Sequence, residues 1–107
     1  LDAGELTIYQ QVTMMDDDPL RPDAAKRLIS EILERGELRL SGHARDELAN
    51  DEMDVADVRN VLLGGNVREP EREGGAWRYR VETQKFCVVI AFRDRSNMVI
   101  TAWRFKR

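Results

Sequence analysis

The chain has one cysteine and one histidine in its 107 residues. That is too few to build the nitrogen and sulfur cages that hold most protein-bound transition metals. The acidic triplet Asp16 to Asp18 lacks the ordered ligand spacing of a calcium loop. Gly64-Gly65 and Gly74-Gly75 belong to no Gly-x-Gly-x-x-Gly or Gly-Lys-Ser/Thr signature, so no phosphate-cradling loop is present. No metal and no cofactor are expected. Cys87 lies inside Phe86 to Phe92, the most apolar stretch, and reads as core filling rather than as a nucleophile, which needs exposure beside a base. No apolar run approaches the roughly 20 residues of a membrane helix, and the first dozen residues lack a basic start followed by an apolar block. With no partner for an internal disulfide, the expectation is a cytoplasmic protein without membrane contact.

What is present is charge. The composition is 42% hydrophobic and 35% charged with a formal net charge of −3, as in a charge-rich globular domain. The charge is uneven: Trp77 to Arg107 carries eight Lys or Arg against two acids, +6, leaving −9 on the remainder. An acidic total argues against indiscriminate coating of nucleic acid. A local basic patch still attracts a polyanion within a Debye length of about 8 Å at physiological salt. The bland reading is a set of solvated strand faces.

The length fits one domain, divided here into a tail or extension over 1–20 and a folded unit over 21–107. A start at Met14 or Met15 would make the preceding residues an extension. Pro22 and Asp23 open a first helix whose Leu28, Ile29, Ile32 and Leu33 share one stripe, with Gly36 at its end. Leu38 and Leu40 point the same way in a short extended link. Ser41 caps a second helix, Gly42 to Ala49, with Ala44 and Leu48 inward. Asp54 caps a third, with Asp57 completing a capping-box pattern and Val55, Val58, Val61 and Leu62 toward the core. Gly64-Gly65 stops it, Val67 is an edge-strand candidate, and Pro70 to Gly75 reads as a charged loop. Three strands close the chain. Phe86 to Phe92 is apolar without a break and belongs at the centre of a sheet, covered on both faces. Trp77 to Val81 and Trp103 to Lys106 alternate aromatic with cationic residues, which offers Arg78, Arg80, Arg104 and Lys106 on a basic sheet surface. Asp94 to Asn97 is good hairpin chemistry, Thr83-Gln84 weaker. Helices first and strands last indicate an α+β fold with an antiparallel sheet.

His43 stands in the opening turn of the second helix, where the dipole disfavours the imidazolium and leaves a ring able to accept a proton. It can equally cap the helix. Glu47, one turn on, can orient the ring or only solvate the helix. The sheet arginines can grip phosphate in bidentate fashion and stabilise charge on its oxygens. Tyr79 and Trp103 can stack a base, although alternation places both more naturally in the core.

The runs Ser41-Gly42-His43-Ala44-Arg45-Asp46-Glu47-Leu48 and Met53-Asp54-Val55-Ala56-Asp57-Val58, the Gly-Gly stop, Trp77 to Val81 and Thr101-Ala102-Trp103-Arg104 resemble a bacterial domain family of unknown function. Its members begin with a His-Ala-Arg-like helix and end in a sheet. The family is similar in layout to the MqsR and RelE-like toxins of type II toxin–antitoxin systems, and the match covers about Leu28 to Arg107. The resemblance implies N-terminal helices packed on a curved, mainly antiparallel C-terminal sheet. It further implies a metal-independent endoribonuclease in which the ribose 2′-hydroxyl attacks the adjacent phosphorus, with a cognate antitoxin as partner and a homodimer left open. Carried over by position, Tyr79 or a neighbouring strand residue resembles the toxins' tyrosine, Lys106 their C-terminal lysine and His43 the histidine of the domain family. With these as catalytic candidates, the basic residues Arg45, Arg78, Arg80 and Arg104 are the expected RNA-binding ones. This chain departs from such toxins in being acidic overall and in lacking a match for their other lysine and glutamine. The alternative is a non-catalytic relative that binds a partner protein or nucleic acid.

Overall fold

The computed structural model of the protein describes residues 19–35, 37–93 and 96–105. Pro22 supplies a pre-set first helical residue to α1 (Pro22–Glu34), and Asp23 adds a carboxylate to its first turn. Ala25, Leu28, Ile29, Ile32 and Leu33 are all buried, a stripe at helical spacing. A three-residue strand, β1 (Leu38–Leu40), leads directly into α2 (Gly42–Asn50). The Ser41 hydroxyl accepts from the Ala44 N–H and donates to the Ile100 carbonyl, so the cap is also a tether to the sheet. α3 (Val55–Gly64) opens with a full capping box: Asp54 and Asp57 carboxylates each accept the other's backbone N–H, at 2.8 and 3.0 Å. Val55, expected in the core, is 51% exposed, because the first helical residue precedes the inward stripe of Val58, Val61 and Leu62.

Six strands follow from these starts: β1, β2 (Asn66–Val67), β3 (Glu71–Glu73), β4 (Ala76–Glu82), β5 (Phe86–Arg93) and β6 (Ser96–Arg104). The order β1-β6-β5-β4-β2 puts β5 in the middle, with β3 pairing β4 off the main path. The fold is α+β with a mixed sheet: β1 runs parallel to β6, and the other pairings are antiparallel. The segment expected as a loop over Pro70 to Gly75 contains β3. Gly74 and Gly75, both at positive φ (61° and 79°), turn it tightly into β4, a backbone that glycine takes without a Cβ clash.

All three helices contribute to one core on one face of the sheet. Val58, Val61, Leu62, Ile29, Leu33, Ala44 and Leu48 meet Tyr79, Val81, Val88, Ile90, Val99 and Ala102 there. Each large aliphatic side chain so enclosed contributes about 1.5–3 kcal/mol. Leu20, assigned by sequence to the tail, packs on this core and accepts the Tyr79 hydroxyl at 2.8 Å. The β5–β6 register shifts between Val89 and Ile90, which pair with Thr101 and Val99. Ile100 is therefore the extra residue of a bulge, and β6 changes its facing there. Before it, Val99 faces the helices; after it, Thr101 and Trp103 lie opposite Val89 and Cys87, away from them.

Candidate nucleic-acid interface

Strand alternation and register define the sheet's second face. Arg80 and Glu82 on β4 sit across from Val89 and Cys87 on β5, beyond which lie Thr101 and Trp103 of β6, and alternation continues the same face through Arg78 and Ala91. The β5 residues are a small-to-medium apolar floor, with Cys87 at 0%, Ala91 at 2% and Val89 at 7% exposure. The Arg80 guanidinium lies over the Trp103 ring, 5.8 Å from its centroid. A cation stacked on an indole presents both a positive charge and a π surface, the pairing that phosphate and base require. Arg78 is only partly accessible: Nη1 lies 3.4 Å from the Glu73 carboxylate, and Nε is buried without a hydrogen-bond partner. Glu82 lies 3.8 Å from Arg68 on the neighbouring chain segment. Burial pushes the Cys87 thiol up to about 11, the charge of Glu82 adding to the effect and Arg80 opposing it. Cys87 is thus part of the floor, not of any chemistry.

His43 is exposed on α2, its Nε2 3.6 Å from the Glu47 carboxylate. This is the i to i+4 contact of one helix face. Arg45 is exposed on the same helix and takes part in none of these contacts.

Two expected members are taken away from this face. Tyr79 is 2% exposed in the core, its ring 5.5 Å from that of Phe92. Burial, with the Glu69 charge adding to it, pushes its hydroxyl up to about 12, so it neither gives nor takes a proton readily near neutrality. Arg104 lies opposite Phe86, on the helix side. Its Nε donates to the Asp51 carbonyl and Nη2 to the Glu52 carbonyl, at 3.1 and 3.0 Å, while its own N–H donates to the Asp51 carboxylate. It closes the end of α2. The single basic surface expected for Arg78, Arg80 and Arg104 is therefore divided, and the bulge at Ile100 is the reason. Lys106 lies outside the described residues. Trp103, by contrast, is half-buried on this second face and not in the core; among the described residues no helix packs on that face, which is called open in that sense. Glu73 is the member that sequence reading passed over, although a two-residue Gly-Gly hairpin already sets Glu71 across from Arg78.

Among the described residues, no three of His, Cys, Asp and Glu converge as metal ligands, and no helix is long and apolar enough to cross a membrane. The family model of a domain of unknown function, DUF4258, matches residues 40–104. The chain belongs to this family. The DUF4258 region starts where β1 ends and finishes with β6. It holds α2, α3 and all the residues of the open face, while α1 lies outside it. No curated protein and no solved structure matches the chain.

Proposed function

We propose that this DUF4258 protein acts on RNA at the open face of its sheet, as a metal-independent endoribonuclease of the toxin type held in check by a cognate antitoxin. The observation that carries the reading is the Arg80–Trp103 stack over an apolar floor, on a face that, among the described residues, none of the three helices packs against.

His43 supplies the proton-transfer group by the following geometry. α2 continues along the β6 edge in the place β1 leaves: Ser41 N–H bonds the Val99 carbonyl at its start, and Asp51 bonds the Arg104 N–H at its end. Val99 faces the helices while sending its carbonyl toward β1. For L-residues this fixes the sheet's hand, and α2 is right-handed. With Ala44 and Leu48 turned to the core, the residues just before them, His43 and Glu47, come out on the flank bordering the open face. Arg45 leaves by the opposite flank and drops out of the RNA-binding set.

In this reading Arg80, which reaches toward β6, holds the scissile phosphate, Arg78, turned toward β3, holds a more distant phosphate of the same strand, and a base stacks on Trp103. His43 takes the 2′-hydroxyl proton through its Nδ1 as the 2′-oxygen bonds phosphorus, and the 5′-oxygen leaves with a proton from solvent water, giving a 2′,3′-cyclic phosphate and a 5′-hydroxyl. The Glu47 carboxylate stabilises the positive charge the ring acquires. Positioned proton transfer is worth about 10²- to 10⁴-fold, so His43→Ala lowers cleavage of single-stranded RNA by that order with little change in binding. A 2′-deoxy substitution at the cleaved nucleotide abolishes reaction. Cleavage by His43→Ala equal to that of the parent removes His43 from the mechanism.

One observation favours a second reading. Tyr79 and Arg104, two groups such toxins would spend on the reaction, are committed to the core and to the α2 terminus. A domain that binds RNA or a partner protein without cutting it retains the face and needs no second proton donor. Salt-sensitive RNA binding with no cleavage and no growth arrest on expression selects that reading.

A further inference from the structure

Resting on the RNA reading, we propose that Glu73 is a built-in competitor for phosphate, holding Arg78 closed until a polyanion displaces it. Three features carry this. The Arg78 side chain is 27% exposed, whereas its partner carboxylate is 71% exposed, so the anion is the member free to leave. The Glu73 carboxylate comes no nearer than 3.4 Å to Arg78 Nη1 and leaves the buried Nε without an acceptor, a loose pairing that a phosphate, with more oxygens, can replace with closer bonds to the accessible part of the guanidinium. The carboxylate is delivered by a tight hairpin: the pairings Glu71 with Arg78 and Glu73 with Ala76 place both acids of β3 on the open face, and Gly74-Gly75 fix that register. The strand therefore mimics the charge pattern of a nucleic-acid backbone beside the β4 arginines. Arg80, stacked on Trp103, is the standing contact, and Arg78 is the conditional one.

A carboxylate this exposed competes weakly, since surface pairs are worth little. The expected effect is correspondingly small but resolvable. Glu73→Gln tightens binding of a fluorescent single-stranded RNA about 2- to 5-fold, and the slope of log affinity against log salt steepens by about 0.7, one further phosphate contact. Glu31→Gln, on an exposed position of α1, makes the same change in net charge and serves as the reference. In an Arg78→Ala background Glu73→Gln gains nothing beyond that reference. Equal gains from Glu73→Gln and Glu31→Gln, or a gain that survives in the Arg78→Ala background, overturn the proposal.

A second measurement keeps this separate from the RNA reading. Inorganic pyrophosphate, titrated while the Arg78 Nε–H resonance is followed by NMR, shifts that resonance at several-fold lower concentration in Glu73→Gln than in the parent. If neither protein binds RNA but the resonance behaves so, the RNA reading fails and the Glu73–Arg78 competition stands. If RNA binds but the resonance responds alike in both, the competition fails and the RNA reading stands.

Discussion

Arg80 reaches across the central strand to lie over Trp103, 5.8 Å from the ring centroid, although 23 residues separate them in sequence. The pair joins the two strands that flank β5 and leaves a cation and an indole side by side on the open face. Base–aromatic stacking is worth about 1–3 kcal/mol per base. Trp103→Ala and Arg80→Ala are each expected to weaken single-stranded RNA binding about 5- to 100-fold, measured by fluorescence anisotropy. Urea midpoints should change little, since both side chains lie outside the main core.

Arg104 provides the contrast. Its guanidinium serves two carbonyls at the end of α2, so Arg104→Met is expected to cost about 1–2 kcal/mol of stability. RNA affinity should stay within about twofold of the parent under conditions where both are folded. A large loss of affinity with unchanged stability would return Arg104 to the interface.

At the other end of the same helix, Ser41→Ala removes the N-cap acceptor and the bond to the Ile100 carbonyl together. A loss of about 1–2 kcal/mol in chemical denaturation is expected. Since this bond anchors the turn preceding His43, cleavage should fall more than binding does.

Gly64 and Gly65 are adjacent but should respond with opposite sign. A Cβ on Gly65 would come within 2.6 Å of the Val61 carbonyl oxygen and 2.9 Å of the Glu82 carbonyl oxygen, whereas one on Gly64 meets nothing within 4 Å. Because the atoms at Gly65 are backbone, relief requires moving α3 away from β4. Gly65→Ala is expected to destabilise by at least about 2 kcal/mol, within the usual cost of overpacking. Gly64→Ala, at the helical end of α3, should be neutral or stabilising by up to about 1 kcal/mol. Thermal melts of the two variants decide it.

Alkaline unfolding tests the buried hydroxyl. Tyr79 is raised from 10.0 to about 12 and Cys87 from 9.0 to about 11. A raised folded-state value means the unfolded chain loses its proton first, so stability holds below about pH 9 and falls as pH rises toward 12. Tyr79→Phe is expected to lose about 1 kcal/mol near neutrality through the missing bond to the Leu20 carbonyl. It should also show a shallower decline between about pH 10 and 12. An unchanged alkaline profile would mean that Tyr79 is solvated.

Much of this molecule was legible in local chemistry. Pro22, Ser41 and Asp54 announced the three helices because caps and first-turn residues act within four positions of where they stand. The unbroken Phe86 to Phe92 run marked the central strand because burial on both faces leaves no room for alternation. His43 and Glu47 were paired by helical spacing alone. Trp103 and Arg104 were assigned to the wrong sides because the alternation of Trp103 to Lys106 was read with aromatics inward and cations outward, and the bulge at Ile100 that reverses this leaves no composition signal when the extra residue is as strand-compatible as its neighbours. Glu73 was missed because a charged stretch beside Gly-Gly reads as solvated until its register against β4 is written out.

The amino-acid order by itself determined the kind and sequence of elements, the helix starts and the inward stripes, since these depend on contacts a few residues apart. The tertiary structure alone decided that β1 lies parallel to β6 and that β6 changes its facing at Ile100. It also decided that Arg80 rather than Arg104 meets Trp103. Those outcomes rest on pairings between segments tens of residues apart, whose energy depends on how the whole sheet closes over one core and not on the pattern of any single strand.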